Sequence, residues 1–358
     1  MRVEQLKSAH RGVLENPANR FERIHLEPDA DWNPEDDFGG RPQGPQTQFL
    51  IDHSVSAIAY NKSPDLPFDA SLNPYRGCEH GCIYCYARPT HEFLGFSSGL
   101  DFETKIMVKP KLPELLRAEL SSPKWKPQTV VMSGITDCYQ PIERKLKLTR
   151  QCLEVLAEFR NPVGIITKNA LVTRDIDVLT ELAKHQCVSV CLSITTLDIK
   201  LRNVMEPRTS PPQARLTAIR KLAEAGIPTS VNVAPIIPGL TDHEMPAILA
   251  AAREAGATTA GFTLVRLPHA NTTLFEKWLE THFPDRKEKV LNRIRAMRDG
   301  SLYDSQWGSR MRGEGIFAEQ MAKMFDVAKR KAGFGDRFTD LSIASFRRPG
   351  GTQLSLFG

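Results

Sequence analysis

The chain has 358 residues, 41% hydrophobic and 25% charged, with a formal net charge of +5, ordinary values for a soluble globular protein of one large or two medium domains. No apolar run approaches the roughly 18 residues that cross a bilayer, and the opening MRVEQLKSAHRGVLENPANRFERIHLEPDADWNPEDD lacks the apolar centre of a secretory signal. The expected address is therefore cytoplasmic, with no membrane partner, and the mild basic excess permits a polyanionic partner without demanding one.

Residues 1–50 are dense in proline, glycine and acid (PDADWNPEDDFGGRPQGPQTQ) and read as an extended polar arm. Next comes YRGCEHGCIYCYARP (75–89), which places Cys78, Cys82 and Cys85 within eight positions. The cysteines number seven. An odd count with three clustered argues against a disulfide framework and for metal chemistry or free thiols. Short β-branched runs follow at 129–135, 163–168, 188–194, 229–237 and 260–267, each expected to be a strand covered on both faces. Helical patterns alternate with them at 148–160, 173–185, 211–226 and 241–256. Thr149 is placed to cap the first, and glycine ends the last two. Alternation at this spacing means βαβ units and a parallel sheet. With a short strand leading into the cysteine loop there are about six strands, fewer than the eight of a closed barrel. The expected fold is α/β, a partial (β/α)6 barrel over residues 51–270 with its active groups at the strand C-terminal ends. Residues 271–346 read as a helical, basic extension: between 310 and 348 there are nine Lys or Arg against five Asp or Glu. Residues 347–358 read as a flexible tail.

Three thiolates at C-x3-C-x2-C spacing converge on one inorganic centre, and soft sulfur suits an iron–sulfur cluster, zinc or Cu(I). A four-iron cluster with three protein thiolates keeps one iron open for a small molecule, as catalytic zinc sites keep a position open. The alternative is a Cys3His zinc site completed by His80 or His91. Gly77 and Gly81 let the loop turn with backbone amides facing the sulfurs, which suits a bulky anion.

The stretch CEHGCIYC resembles the cluster motif of the radical S-adenosylmethionine (SAM) superfamily, in which the residue before the last cysteine is aromatic; here it is Tyr84. The resemblance implies that Cys78, Cys82 and Cys85 hold a [4Fe-4S] cluster whose fourth iron chelates S-adenosyl-L-methionine, with Tyr84 near the adenine. It also implies a low-potential electron donor and a 5′-deoxyadenosyl radical that abstracts hydrogen from a substrate. It runs from about residue 70 to 267 and is most similar to the spore photoproduct lyase-related group, whose best-known member reverses a thymine lesion in DNA.

By that resemblance, Ser133, Gly134, Thr136 and Asp137 after the second strand would bind the methionine amino group, with Tyr139, Gln140 and Glu143 behind them. Ser193 and Thr195 share a face of the fourth strand and would contact the ribose. Lys168 and Arg208 are the cations for the methionine carboxylate, or else ordinary surface pairs. Pro238 and Gly239 would form the turn beside adenine. The lyase returns hydrogen from a cysteine that aligns with Gly134 here; Cys138 or Tyr139 could substitute. Cys152, Cys187 and Cys191 read as inert packing residues.

In the tail, QLSLF (353–357) follows a Pro-Gly-Gly hinge. It resembles the pentapeptide by which bacterial DNA repair and replication proteins dock on the sliding clamp, with Gln353, Leu354, Leu356 and Phe357 as contacts. The sequence thus points to a radical enzyme acting on DNA. The competing readings are a radical enzyme acting on RNA, a peptide or a small molecule, and a non-catalytic metal-binding interaction module.

Overall fold

The structure, a computed structural model, describes residues 11–13, 15–21, 46–335 and 340–349. Its strands in chain order are β1 (Gln48–Ile51), β2 (Ile58–Tyr60), β3 (Ala70–Leu72), β4 (Tyr75–Arg76), β5 (Lys105–Val108), β6 (Val130–Met132), β7 (Val163–Thr167), β8 (Val188–Ser193), β9 (Thr229–Ile236) and β10 (Thr259–Leu264). Seven of them form one sheet in the order β10-β9-β8-β7-β6-β3-β2. Only the β2–β3 pair is antiparallel, which leaves six parallel strands. Helices Leu148–Phe159, Ile176–Ala183, Pro212–Glu224 and Met245–Glu254 lie between the later strands, completing the partial (β/α)6 barrel. β1, β5 and β4 make a second small sheet beside the cysteine loop. Strands of four residues or fewer carry too little periodicity to be seen in sequence.

The strands are not covered on both faces. Val163, Ile165 and Thr167 of β7 are buried whereas Gly164 and Ile166 are half-buried, and the same alternation runs along β8 and the first half of β9. Outward side chains pack with Leu153, Leu156, Leu179 and Ile219 of the helices in the main core, where each buried leucine contributes about 1.5–3 kcal/mol. Inward positions such as Ser189, Ser230 and Asn232 are small or polar and half-buried, because an incompletely closed barrel leaves its lumen partly wet. Cys191 is on this lumen face, opposite Ser230 in register, whereas Cys152 and Cys187 are fully buried. Thr149 does not cap its helix: its N–H donates to Glu143 Oε2 at 3.0 Å and its hydroxyl to the Cys138 carbonyl at 2.5 Å.

The seam between the sheet edges β10 and β2 is crossed by residues 308–311. Leu264 N–H donates to the Met311 carbonyl at 3.0 Å, while Gly308 N–H reaches Asp65 at 2.6 Å and Arg310 pairs with the same carboxylate. The basic extension is part of the core around the cysteine loop: Phe275, Trp278 and Leu291 join Cys82, Ile83 and Tyr84 in one cluster. Helix Gly315–Lys331 covers β10 through Phe325, 4.6 Å from Phe262. Residues 342–348 return to the strand N-terminal ends. There Ser342 N–H donates to the Gln186 carbonyl and Arg347 N–H to the Phe159 carbonyl, both at 2.9 Å.

Candidate active site

The cysteine loop leaves β4 and ends in a 3-10 turn, Arg88–Leu94. Gly77 and Gly81 have φ of +78° and +65°. A Cβ on Gly77 would come within 2.9 Å of His91 Cε1, and one on Gly81 within 2.6 Å of Glu103 Oε2. Both positions therefore demand glycine on backbone and steric grounds. Arg88, fully buried, donates from Nε and Nη2 to the Cys82 carbonyl at 3.1 and 2.9 Å and pairs with Glu103 at 2.5 Å. From the other side Thr136 Oγ1 and Gln140 Nε2 donate to the Gly77 carbonyl at 2.6 and 3.1 Å. The loop is clamped through its backbone, which leaves the thiols for chemistry.

Cys78 and Cys82 are buried and Cys85 half-buried. Burial pushes all three thiols up, and Cys78 is raised further by Asp137 and by the other two cysteines. Alone they would be neutral, so a cationic centre is what makes them thiolates. Among the described residues neither histidine stands with the thiols in an assembled ligand set. His80 is engaged on both nitrogens, with Nδ1 3.4 Å from Asp137 and Nε2 3.1 Å from Asn169. His91 Nε2 is 2.9 Å from the Lys105 carbonyl while its Nδ1 is buried without a hydrogen-bond partner among the described residues, and burial pushes the ring down to about 4. Among the described residues no three His, Cys, Asp or Glu are arranged around a single ion. A cluster, in which each thiolate takes its own iron, fits this donor set.

Behind the loop is a polar network whose central carboxylate and its arginine partner were not singled out in the sequence. Glu206, fully buried, pairs with Arg215 and accepts from the Tyr84 hydroxyl, and Thr195 Oγ1 approaches it at 2.7 Å. Lys168 Nζ lies 3.3 Å from Glu206, donates to Thr195 Oγ1 at 3.1 Å and to the Ala234 carbonyl at 2.7 Å, and stands 5.5 Å from the Tyr84 ring centre. Arg215 Nη1 donates to the Ser193 carbonyl at 2.9 Å. The structure thus brings Tyr84, Lys168, Ser193 and Thr195 together around one carboxylate. Its signal in sequence was MEPR (205–208), where Arg208 drew attention and Glu206 did not.

The other candidates are more dispersed. Ser133, with φ of 83°, accepts the Cys138 N–H at 3.0 Å, and the Gly134 carbonyl accepts the Tyr86 hydroxyl at 2.8 Å. Asp137 accepts from Thr167 Oγ1 and Lys168 N–H, both at 2.8 Å, tying β7 to the cysteine loop through His80. Arg208 pairs with Glu79 at 3.0 Å. Gly239, following Pro238, turns toward Arg293, whose Cδ would be 3.3 Å from an added Cβ. Cys138 and Tyr139 are fully buried in the main core, with the Tyr139 hydroxyl donated to Asp175 at 3.1 Å. The structure does not bring these two to the thiols. Glu143 is likewise committed, accepting from Tyr75 at 2.5 Å and from Arg174 at 2.7 Å.

Part of the N-terminal arm is not loose. Gly12 N–H donates to Glu103 Oε2 at 2.9 Å, Val13 is buried beside Cys82 and Ile83, and Asn19 Nδ2 donates to the Glu92 and Phe96 carbonyls at 3.0 and 3.2 Å. A Cβ on Gly12 would stand 1.6 Å from the Gly81 carbonyl oxygen. Gly12→Val is therefore expected to lift this strap, costing about 1–3 kcal/mol and exposing residues 11–21 to limited proteolysis. A wild-type cleavage pattern would contradict the contact.

The family model described as the radical SAM superfamily matches residues 72–252, a span that holds the three cysteines and, of the barrel's parallel strands, β6 to β9. The chain belongs to the radical SAM superfamily. As a radical SAM protein it uses a [4Fe-4S] cluster and S-adenosylmethionine. It is 37% identical over 249 residues to an uncharacterised protein of Mycobacterium tuberculosis H37Rv, covering 68% of this chain and 73% of the relative. An uncharacterised protein of Methanocaldococcus jannaschii is 30% identical over 222 residues, covering 62% of this chain and 79% of that one. A radical SAM Nα-GlyT isomerase of Pseudomonas phage M6 is 27% identical over 173 residues, 48% of this chain and 34% of the isomerase. Among solved structures, spore photoproduct lyase complexed with dinucleoside spore photoproduct has a TM-score of 0.54 at 17% identity, covering 79% of this chain and 78% of that one. At that identity the likeness establishes the radical SAM fold alone. Among the described residues no helix is long and apolar enough to cross a membrane.

Proposed function

We propose that this radical SAM enzyme acts on DNA, repairing or modifying a base in the manner of a photoproduct lyase. The reading rests on the fold shared, over 79% of this chain, with a lyase bound to a dinucleoside photoproduct. The basic extension packed against the cysteine loop supports it.

Cys78, Cys82 and Cys85 would hold the cluster. Bound there with S-adenosylmethionine, it supplies one-electron cleavage of the sulfonium to give a 5′-deoxyadenosyl radical. The chain's own residues bind and orient. Tyr84, fixed by Glu206 and Thr195, forms a wall next to Cys85. Lys168, with its side chain 15% exposed, offers an ammonium to the methionine carboxylate, and Arg208 a second cation nearby. Ser133, Gly134, Ser193, Thr195, Pro238 and Gly239 line the strand ends where the rest of the cofactor would lie. Thr136 and Asp137 act by holding the loop in register. Hydrophobic helices around the loop exclude water from the reactive centre.

The test is an anaerobic assay of reconstituted protein with irradiated and intact DNA, reading 5′-deoxyadenosine and altered nucleosides together. Lesion-dependent nucleoside change is expected. 5′-Deoxyadenosine formed with no change in any DNA substrate would remove the DNA reading and leave the enzyme class.

We further propose docking on the bacterial sliding clamp through Gln353, Leu354, Leu356 and Phe357, which lie outside the described residues. The motif and its hinge support this. Clamp pull-downs with the full chain and with a chain lacking 353–358 should differ, and equal capture would exclude it.

A further inference from the structure

We infer that Arg266, seated by Arg298, is a phosphate-binding site at the barrel mouth that takes a phosphodiester of the substrate nucleic acid; the inference rests on the DNA reading above. Arg266 lies two residues beyond β10, at the strand ends where the cysteine loop is. Its guanidinium stands 5.2 Å from the ring centre of Tyr86, the residue after Cys85. Tyr86 is 47% exposed and its hydroxyl donates to the Gly134 carbonyl. The ring therefore spans from the cysteine loop to the loop after β6, with Arg266 meeting it from the β10 side.

Cations near this mouth are mostly paired: Arg310 with Asp65, Arg208 with Glu79, Arg20 with Glu92. Arg266 and Arg298 are different. Among the described residues Arg266 Nη1 has only the Met311 sulfur, at 3.5 Å, and its Nε is buried without a hydrogen-bond partner. Arg298 is 5% exposed. Its Nη2 donates to the carbonyls of Val265 at 2.7 Å and Arg310 at 3.1 Å, fixing the backbone next to Arg266, and its Nη1 is buried without a partner. Among the described residues neither guanidinium pairs with a carboxylate within 4.0 Å. The two repel: besides burial, the Arg266 charge depresses Arg298, partly offset by Asp304 and Tyr303, while Asp65 feels the Arg266 charge.

Two close guanidinium groups with unmet donors form a site completed by an anion. A guanidinium fork matches phosphate geometry, and an exposed aromatic ring beside it offers a face for the neighbouring base. That pairing of a backbone contact with a stacking surface suits nucleic acid rather than free phosphate.

The experiment is fluorescence anisotropy of a fluorescein-labelled oligodeoxynucleotide with anaerobic holoprotein over a range of salt, for wild type and Arg266→Gln. Arg298→Gln, which would also release two carbonyls, serves as a second variant only if its thermal midpoint matches wild type. Arg266→Gln is expected to weaken binding roughly tenfold and to lower the log–log salt slope by about one. Unchanged affinity and slope would overturn the site while leaving the DNA reading intact. Loss of S-adenosylmethionine affinity with DNA affinity intact would also overturn it, assigning Arg266 to the cofactor. Tighter binding of an RNA of the same sequence, still sensitive to Arg266→Gln, would keep the phosphate site and overturn the DNA reading. No binding of either polymer by wild type would overturn both.

Discussion

Cys82→Ala is expected to abolish the iron–sulfur absorbance of anaerobically reconstituted protein, and with it all turnover. The thiol has no structural task that alanine would leave undone. The loop is held at this residue by its carbonyl, which Arg88 grips with two N–H groups, and by the glycine turns on either side. Loss of the sulfur should therefore cost the apoprotein only about 1 kcal/mol while removing one of three ligands from the cluster. Cys152→Ala, at a fully buried cysteine of the main core, is the matched control and should reconstitute normally. Full iron content and absorbance in the Cys82 variant would refute the ligand assignment. Colourless wild-type protein carrying stoichiometric zinc after oxygen-free preparation would refute the cluster itself.

Glu206→Ala should be the most destabilising single substitution near the site. Burial alone would raise this carboxyl, but the charges of Arg215 and Lys168 and the hydroxyls of Tyr84 and Thr195 hold it well below the usual carboxylate range. Its stabilising effect is therefore fully present above the ordinary glutamate pKa, about 4.3, and fades as the pH falls below it. Truncation leaves Arg215, whose side chain is 1% exposed, as an uncompensated buried cation. Breaking a buried pair from one side costs about 3–5 kcal/mol. Urea unfolding at neutral pH should show that loss, with Glu206→Gln milder because the amide retains hydrogen-bonding capacity. A loss below about 1 kcal/mol would mean that Arg215 finds another partner or water, and that the network is not what fixes Tyr84.

The barrel was legible because its strands and helices are long enough to show their periods: β7, β8 and β9 begin and end within a residue of the apolar runs that forecast them. The cysteine triplet was legible because ligand spacing is local. Glu206, Arg88 and Glu103 were not, since a buried ion pair looks in sequence like two ordinary surface charges. What distinguishes them is partners such as Arg215, nine residues away, and Gly12, ninety-one away. Gly12 shows the same limit, being one glycine in a polar stretch until the Gly81 carbonyl is seen against it. Cys138 and Tyr139 are close in sequence to Ser133 and Gly134, but the turn carries both side chains down into the core.

Arg347 and Arg348 hook onto carbonyls of Glu158, Ser122 and Trp125, at the floor of the barrel, while the thiols occupy its rim. Pro349, the residue after them, therefore stands at the heel of the molecule. An enzyme leashed there could be carried along by a companion without that companion blocking the entrance, so capture and catalysis need not compete for one surface.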